Sequence, residues 1–349
     1  MAFGISRLAI SVATFADLCA IGILFARRPG MSAPLSEGRF VGCLLGLAVG
    51  DALGAPFEGL TGTLIYDLRG LPEQFLNAPS KEPLYYTDDT EMMIGVAETL
   101  VECGEIDETV LMRRFAENYH PERGYGAGLQ KILDRIRAGE PWEELATSQF
   151  PGGSLGNGAA MRVAPVGLRF ATDLDGVWEQ AGKSARPTHR HPVGIESAQL
   201  LATAVALAVQ AEKVERKPFL KRLRALAKTE ELRWGLDTAV GLRKSDSFSV
   251  LGSTLQSHRS VVTAIALFAA TGGDFEETVG RAIALGDDTD TLAAMGGALC
   301  GALHGIGCIR ESWLKRLEKQ AKVRARLERL AGRLWERATR SEPTANGAT

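Results

Sequence analysis

The chain has 349 residues, of which 45% are hydrophobic and 23% charged, and its formal net charge is −2 with a pI near 6.3. That length buries a large core in one domain or two, and the composition is that of a soluble globular protein. A near-neutral charge balance argues against a nucleic-acid partner, which needs a basic face.

The first thirty residues stand apart. Leu8 to Ala26 is mostly apolar and follows Arg7, which raises a signal peptide or a membrane anchor as readings. Asp17 interrupts that stretch, where a carboxylate at the membrane centre costs about 3 kcal/mol. Arg27-Arg28 follows without a small-x-small cleavage site, and Met31-Ser32-Ala33-Pro34 reads as an ordinary start. Residues 1–34 are therefore expected to lie outside the fold, with no membrane association; an anchor is the alternative. Residues 35–340 are expected to form one domain and 341–349 a disordered tail.

Helical periodicity then dominates, and strand-like alternation is nearly absent, so the chain is predicted to be all-α. Arg39 to Leu53 is an apolar, glycine-rich helix, broken by Gly54-Ala55-Pro56. Thr61 to Leu84 carries Pro72, Pro79 and Pro83 and reads as a long irregular loop. Thr90 to Glu102 is helical, with Met93, Val96, Ala97 and Leu100 on one face, and Asp107 caps an amphipathic helix to Tyr119. Pro141 to Pro165 is a glycine-rich stretch. Ile195 to Ala211 and Val261 to Thr271 read as buried helices, and Arg216 to Leu236 as a charged outer helical region. Thr289 to Ile306 is rich in Ala and Gly, which lets neighbours approach its backbone. Glu311 to Arg340 is an amphipathic helix with Leu327, Leu330 and Leu334 on one stripe. Five cysteines (Cys19, Cys43, Cys103, Cys300 and Cys308) lack C-x-x-C spacing, which suggests buried reduced thiols in a cytoplasmic protein.

The chemistry is concentrated in two acidic clusters, Tyr86-Thr87-Asp88-Asp89-Thr90 and Gly286-Asp287-Asp288-Thr289-Asp290-Thr291, each running into an apolar helix. One such cluster reads as a helix cap, because Asp and Thr favour helix starts and acids suit the positive end of the dipole. Crowded carboxylates repel and raise each other's pKa, and hard divalent cations relieve that repulsion through oxygen ligands. If the fold joins the clusters, they form one oxygen-lined site for one or two Mg²⁺ or Mn²⁺ ions. Gly152-Gly153-Ser154-Leu155-Gly156-Asn157-Gly158 is either a nest of backbone N–H groups for a phosphate or a plain turn-rich loop. His189 and His191 form an H-x-H pair, but the adjacent proline and the lack of further soft ligands argue against a transition metal. His120, His258 and His304 read as residues without a role.

These motifs together resemble the ADP-ribosylglycohydrolase superfamily across residues 38–335. In order, the resemblance rests on Gly46 to Gly54 with Glu58, Thr87 to Thr90, Gly156 to Arg162, Thr188-His189, and Gly286 to Thr291. It implies a single-domain, all-α orthogonal helical bundle with a dimetal site in a central cleft. Thr87, Asp88 and Asp89 would ligate metal on one side and Asp288, Asp290 and Thr291 on the other; Asp287 stands where the family often has glycine and is not counted. Glu58, on a mobile gating loop, and Asp89 would be the catalytic carboxylates. Gly124, Tyr125, Gly126, Phe150, Ser154, Leu155, Gly156, Asn157 and His189 would contact substrate, with Leu155 replacing the aromatic residue that stacks on adenine in the serine-specific branch, and Phe150 offering another stacking face. The loops Arg123 to Gly128 and Ser154 to Gly158 look closest to that branch. The implied reaction is hydrolysis of the C1″ bond of an ADP-ribosylated protein or small O-linked conjugate by a protein acting as a monomer. An arginine-linked substrate, a non-catalytic ADP-ribose-binding descendant and a dimetal phosphoesterase are the alternatives.

Overall fold

Glycine recurs every fourth residue along the first apolar helix, at Gly42, Gly46, Gly50 and Gly54, one position per turn on a single face. Each costs about 0.5–1 kcal/mol in helix stability relative to alanine, so the stripe needs a packing reason. The computed structural model, which describes residues 33–148, 152–318 and 322–340, supplies it.

The described residues form helices in this order: α1 (Glu37–Gly54), α2 (Gly62–Arg69), α3 (Pro72–Asn77), α4 (Asp88–Cys103), α5 (Glu108–Asn118) and α6 (Ala127–Arg137). Then follow α7 (Trp142–Ser148), α8 (Gly158–Met161), α9 (Ala164–Arg169), α10 (Leu174–Ala185), α11 (Pro192–Val209) and α12 (Arg216–Leu226). The last are α13 (Glu230–Gly241), α14 (Ser257–Thr271), α15 (Phe275–Leu285), α16 (Thr289–His304), α17 (Glu311–Glu318) and α18 (Val323–Thr339). Among the described residues there is no strand, and β-type pairing is confined to two isolated bridges, Thr61 with Gly286 and Gly156 with Gln256.

The glycine stripe of α1 lies directly on α16, antiparallel to it. A Cβ on Gly50 would fall 2.1 Å from the Ala293 carbonyl oxygen, one on Gly46 2.3 Å from that of Gly297, and one on Gly301 1.9 Å from that of Gly42. No side chain fits between the two backbones. At the end of the seam the Thr289 hydroxyl donates to the Gly54 carbonyl at 2.9 Å. Around this pair pack α11, α14 and α15 on α16, with α18 on α1. Among the described residues two helical stretches, Glu37–Phe57 and Pro192–Val209, are long and apolar enough to cross a membrane, but 78% and 83% of their most apolar windows are buried in the fold.

Several expected elements hold. Met93, Val96, Ala97 and Leu100 are all buried on α4, and Leu327, Leu330 and Leu334 line the inner face of α18. Others need correction. Thr61 to Leu84 is not an irregular loop: Thr61 caps α2 by accepting from the Leu64 N–H at 3.3 Å, and Pro72 opens α3, a position where its missing N–H costs nothing. The Arg216 to Leu236 region is helical as expected but divided between α12 and α13, where the buried Glu196 carboxylate accepts the N–H groups of Lys228 and Thr229 and fixes the turn between them. Glu311 to Arg340 is likewise α17 and α18, with Lys322 in the left-handed region at φ 58° before the second. Helices α6, α9, α10 and α15 went unread. Asp173 and Asp274 cap α10 and α15 through the N–H groups of Gly176 and Glu277. Cys43 and Cys300 are buried free thiols as expected, whereas Cys103 is exposed at the end of α4; Cys19, the N-terminal stretch to residue 32 and the tail from 341 lie outside the described residues.

The seam makes a direct prediction. Gly50→Ala should lower the urea-unfolding midpoint by an amount worth about 1–3 kcal/mol, whereas Gly38→Ala, whose Cβ would meet nothing within 4 Å, should be neutral or stabilising. Equal midpoints for the two variants would refute backbone contact along this stripe.

Candidate metal centre and adjoining cleft

The α1–α16 contact decides where the acidic residues meet. Asp51 sits in the last turn of α1, fully buried, and makes no ion pair among the described residues. Its carboxylate instead accepts from the start of α4: the Thr87 N–H at 3.0 Å and hydroxyl at 2.9 Å, the Thr90 N–H at 3.1 Å, and the Thr90 hydroxyl. Asp51 is thus a remote cap for α4, satisfying the N–H groups that a helix start leaves open. It aims Thr87, Asp88 and Asp89 toward α16.

On α16 the second cluster faces them. The Thr291 hydroxyl donates to Asp89 Oδ1 at 3.3 Å, so the two clusters are in contact across the helices. Asp288 accepts from the Asn157 side-chain amide, and its own N–H donates to the Ser253 carbonyl at 3.1 Å. Carboxylate oxygens of Glu58, Asp288 and Asp290 lie within 4.8 Å of one another. Asp287 turns away: at φ 62° it occupies the left-handed region that favours glycine and that Asp tolerates, and it is exposed and accepts from Ser253 at 2.7 Å.

The electrostatics of this gathering are unfavourable without a cation. Burial raises the carboxyl pKa of Asp51 to about 7, with Asp290 adding to it. Burial, together with Asp290, raises that of Asp288 to about 8. Asp88 and Asp89 are pushed well up by burial and then by Asp290 and Asp51. Glu58 is raised by burial and Asp290. Among the described residues Asp89 Oδ2 and Asp290 Oδ1 are buried without a hydrogen-bond partner, a costly state for an acceptor. Orphaned oxygens, hydroxyls and clustered carboxylates are the donor set that hard divalent cations take, so the acidic cluster can bind metal.

Substrate-facing residues fare unevenly. Glu58 closes a short 3₁₀ turn, and its neighbours are tied to the second cluster: the Gly59 N–H donates to the Asp287 carbonyl and the Asp287 N–H to the Leu60 carbonyl, both at 2.8 Å. These bonds oppose a freely swinging lid. Gly124 and Gly126 are exposed, but Tyr125 between them is 3% exposed. Its hydroxyl donates to Glu91 at 2.7 Å and its ring meets Tyr119 edge-on, so its side chain is not free to contact substrate. Glu91 also accepts the His120 N–H at 2.9 Å and lies 2.7 Å from His120 Nδ1. His120 therefore has a structural role that its sequence context did not disclose. Arg123 donates to the Tyr86 carbonyl at 2.7 Å and stacks 3.7 Å over its ring. Together these bonds clamp residues 120–125 onto Tyr86 and the first turn of α4, beside the first acidic cluster.

The glycine loop is not a run of free N–H groups. Gly156 N–H is taken by Ser154 Oγ at 3.2 Å, and Asn157 N–H by the Leu255 carbonyl at 3.0 Å. The Asn157 side chain is buried and donates to Asp288 and to Ser260, which makes it a support of the metal centre rather than an open substrate contact. Leu155 anchors the same pairing by accepting the Ser257 N–H at 3.1 Å; Phe150 lies outside the described residues. His189 is buried, and burial followed by Arg162 lowers its pKa to about 3, so it serves as a neutral ring. Arg162, fully buried, donates to Thr188 Oγ1 at 2.7 Å, and that oxygen lies 2.8 Å from His189 Nδ1. His191 caps α11 through Val193 N–H, which removes it from any metal pair. A cleft of about 650 Å³ adjoins the centre, with Glu58, Asp288, Ser253, Leu255 and Arg259 in its walls.

A family model described as ADP-ribosylglycohydrolase matches residues 32–344. ADP-ribosylhydrolase ARH3 of Gallus gallus is 35% identical over 324 residues, covering 79% of this chain and 88% of that protein. The Homo sapiens ARH3 is 32% identical over 330 residues, covering 81% and 90%. A solved structure titled ADP-ribosylglycohydrolase-related protein complex superposes with a TM-score of 0.67 at 29% identity, covering 86% of this chain and 98% of that one.

The raised carboxyls set a pH dependence for the metal-free protein. Asp51 and Asp288 start from an ordinary value of 3.8 and rise to about 7 and about 8 on folding. Between those limits the folded state binds more protons than the unfolded chain, so stability falls as pH rises. Metal-free protein should melt higher at about pH 5.5 than at about pH 8. Asp290→Asn should shrink the difference and Mg²⁺ should restore the melting temperature at the higher pH. A flat profile without metal would contradict the buried charge cluster.

Proposed function

Because the chain belongs to the ADP-ribosylglycohydrolase family, a family of glycohydrolase enzymes, we propose that it uses two divalent ions to hydrolyse the C1″ bond of ADP-ribose conjugates, preferring serine-linked ones. The observation that carries the reading is the meeting of both acidic clusters and Glu58 beside one cleft. The serine preference is supported by the Arg123 to Gly128 and Ser154 to Gly158 loops, which look like those of the serine-specific branch.

Thr87, Asp88 and Asp89 would hold the ions from one side, and Asp288, Asp290 and Thr291 from the other. Bound Mg²⁺ or Mn²⁺ supplies Lewis-acid polarisation and a charge that orients a sugar diol and a water. The protein's own groups divide the remaining work. Asp51 keeps Thr87 and the α4 start in register, and Asn157 holds Asp288. Glu58, whose pKa is raised by burial and Asp290, would exchange a proton with the attacking water or the leaving oxygen. Asp89 Oδ2, without a partner, is the second carboxylate facing the developing positive charge of an oxocarbenium-like transition state. His189, neutral and held through Thr188, offers hydrogen bonding to substrate without adding charge.

Two predictions test this. Asp290→Asn should abolish divalent-dependent release of free ADP-ribose; release of AMP in its place, or full activity in EDTA, would reject the reaction. Glu58→Gln should lower kcat on the order of 10²–10⁴-fold with little change in KM, as loss of a proton-transfer group does. An unchanged kcat would remove Glu58 from the chemistry. The same assays on serine-, arginine- and carboxylate-linked substrates rank the acceptor, and faster turnover of the arginine conjugate would overturn the serine preference.

A further inference from the structure

Arg259 is the cation in the wall of the cleft that also contains Glu58 and Asp288. It is half-buried, and among the described residues its guanidinium has neither a hydrogen bond nor an ion pair. Other arginines of the fold that are at least as buried are engaged: Arg123 with Tyr86, Arg162 with Ser184 and Thr188. The exception lies beside acidic side chains it does not pair with.

Its position is nevertheless restrained. The stem of Arg259 packs across Gly252, where a Cβ would fall 2.8 Å from Arg259 Cδ and 3.3 Å from Nη1. Gly252 has φ +89°, a conformation that glycine adopts readily, so backbone and side chain nest together. Packing of this kind removes part of the rotamer freedom that binding would otherwise cost.

The local field adds to the charge. Arg259 is in the first turn of α14, a 15-residue helix with no acidic residue in that turn and no side-chain bond from its N-cap Gln256. A cation there opposes the helix dipole. Helix start and guanidinium together add positive charge to the cleft whose walls also hold Glu58, Asp287 and Asp288. A ligand that fits both must carry hydroxyls at one end and an anion at the other.

Building on the function proposed above, we propose that Arg259 is a substrate-binding residue that takes an anionic oxygen of the ADP-ribosyl conjugate. The anion is supplied either by the diphosphate, a short linkage from the reacting ribose, or by a carboxylate of the acceptor peptide. A planar guanidinium suits both through paired N–H donors.

Arg259→Gln and Arg259→Lys test it, with thermal melting confirming that each folds. Calorimetry with free ADP-ribose and steady-state kinetics on two modified peptides, with an acidic or an alanine neighbour, supply the readouts. If the diphosphate is the partner, Arg259→Gln weakens ADP-ribose binding on the order of 10–100-fold, the scale of a charge-assisted bond, and Arg259→Lys recovers part of it. If the acceptor carboxylate is the partner, ADP-ribose affinity holds while KM rises for the acidic peptide alone. Wild-type-like values in both assays would overturn the proposal and leave the enzyme assignment intact. A wild-type protein that neither binds ADP-ribose nor releases it would reject the function and this inference with it.

Discussion

Backbone against backbone along α1 and α16 is the contact on which the rest of the molecule depends. Helices separated by ordinary side chains sit about 8–10 Å apart; here Gly42, Gly46 and Gly50 leave no room for a single Cβ. The closeness brings Asp51, at the end of one helix, to the level of Asp290, at the start of the other. A wider seam would separate the acidic clusters and leave two unrelated helix caps. The stability lost by glycine inside a helix is offset by the dense packing this seam allows.

Once the clusters meet, the arrangement of polar groups follows from the need to compensate buried charge. Buried ions are tolerated when paired or hydrogen-bonded. Asp51 reaches that state with four donors from α4, and Asp288 with the Asn157 amide. Asp89 and Asp290 each keep one oxygen without a partner. The buried arginine on this side, Arg162, donates from Nη2 to the Ser184 carbonyl and the Thr188 hydroxyl. Compensation from outside the chain is what the geometry leaves room for, and the oxygen character of the donors suits a hard cation.

The same accounting separates residues that face a ligand from residues that support them. Tyr125, Asn157 and Glu91 lie close to the centre in sequence motifs, yet their polar atoms are occupied within the protein. Gly124 and Gly126 are exposed, and Glu58 and Arg259 line the cleft. The clamp of Glu91 and Arg123 on residues 120–125 joins two motifs that have no local reason to be neighbours.

Much of this was legible in the chain itself. Helical periods located the buried faces of α4, α11 and α18, because burial on a helix repeats every three to four residues. The two acidic clusters and their threonines pointed to a hard-cation site, because oxygen density is a local property of sequence. Proline misled at Pro72, which opens a helix as readily as it ends one, and the breaks at Lys228 and Lys322 were invisible because a distant carboxylate or a single left-handed residue makes them. What only the tertiary structure decided is how polar atoms are paired: Asp51 with Thr87, Asn157 with Asp288, Tyr125 with Glu91, and the Arg259 guanidinium with none among the described residues. A hydrogen bond depends on distance and direction between atoms far apart along the chain, and those are set by packing rather than by spacing.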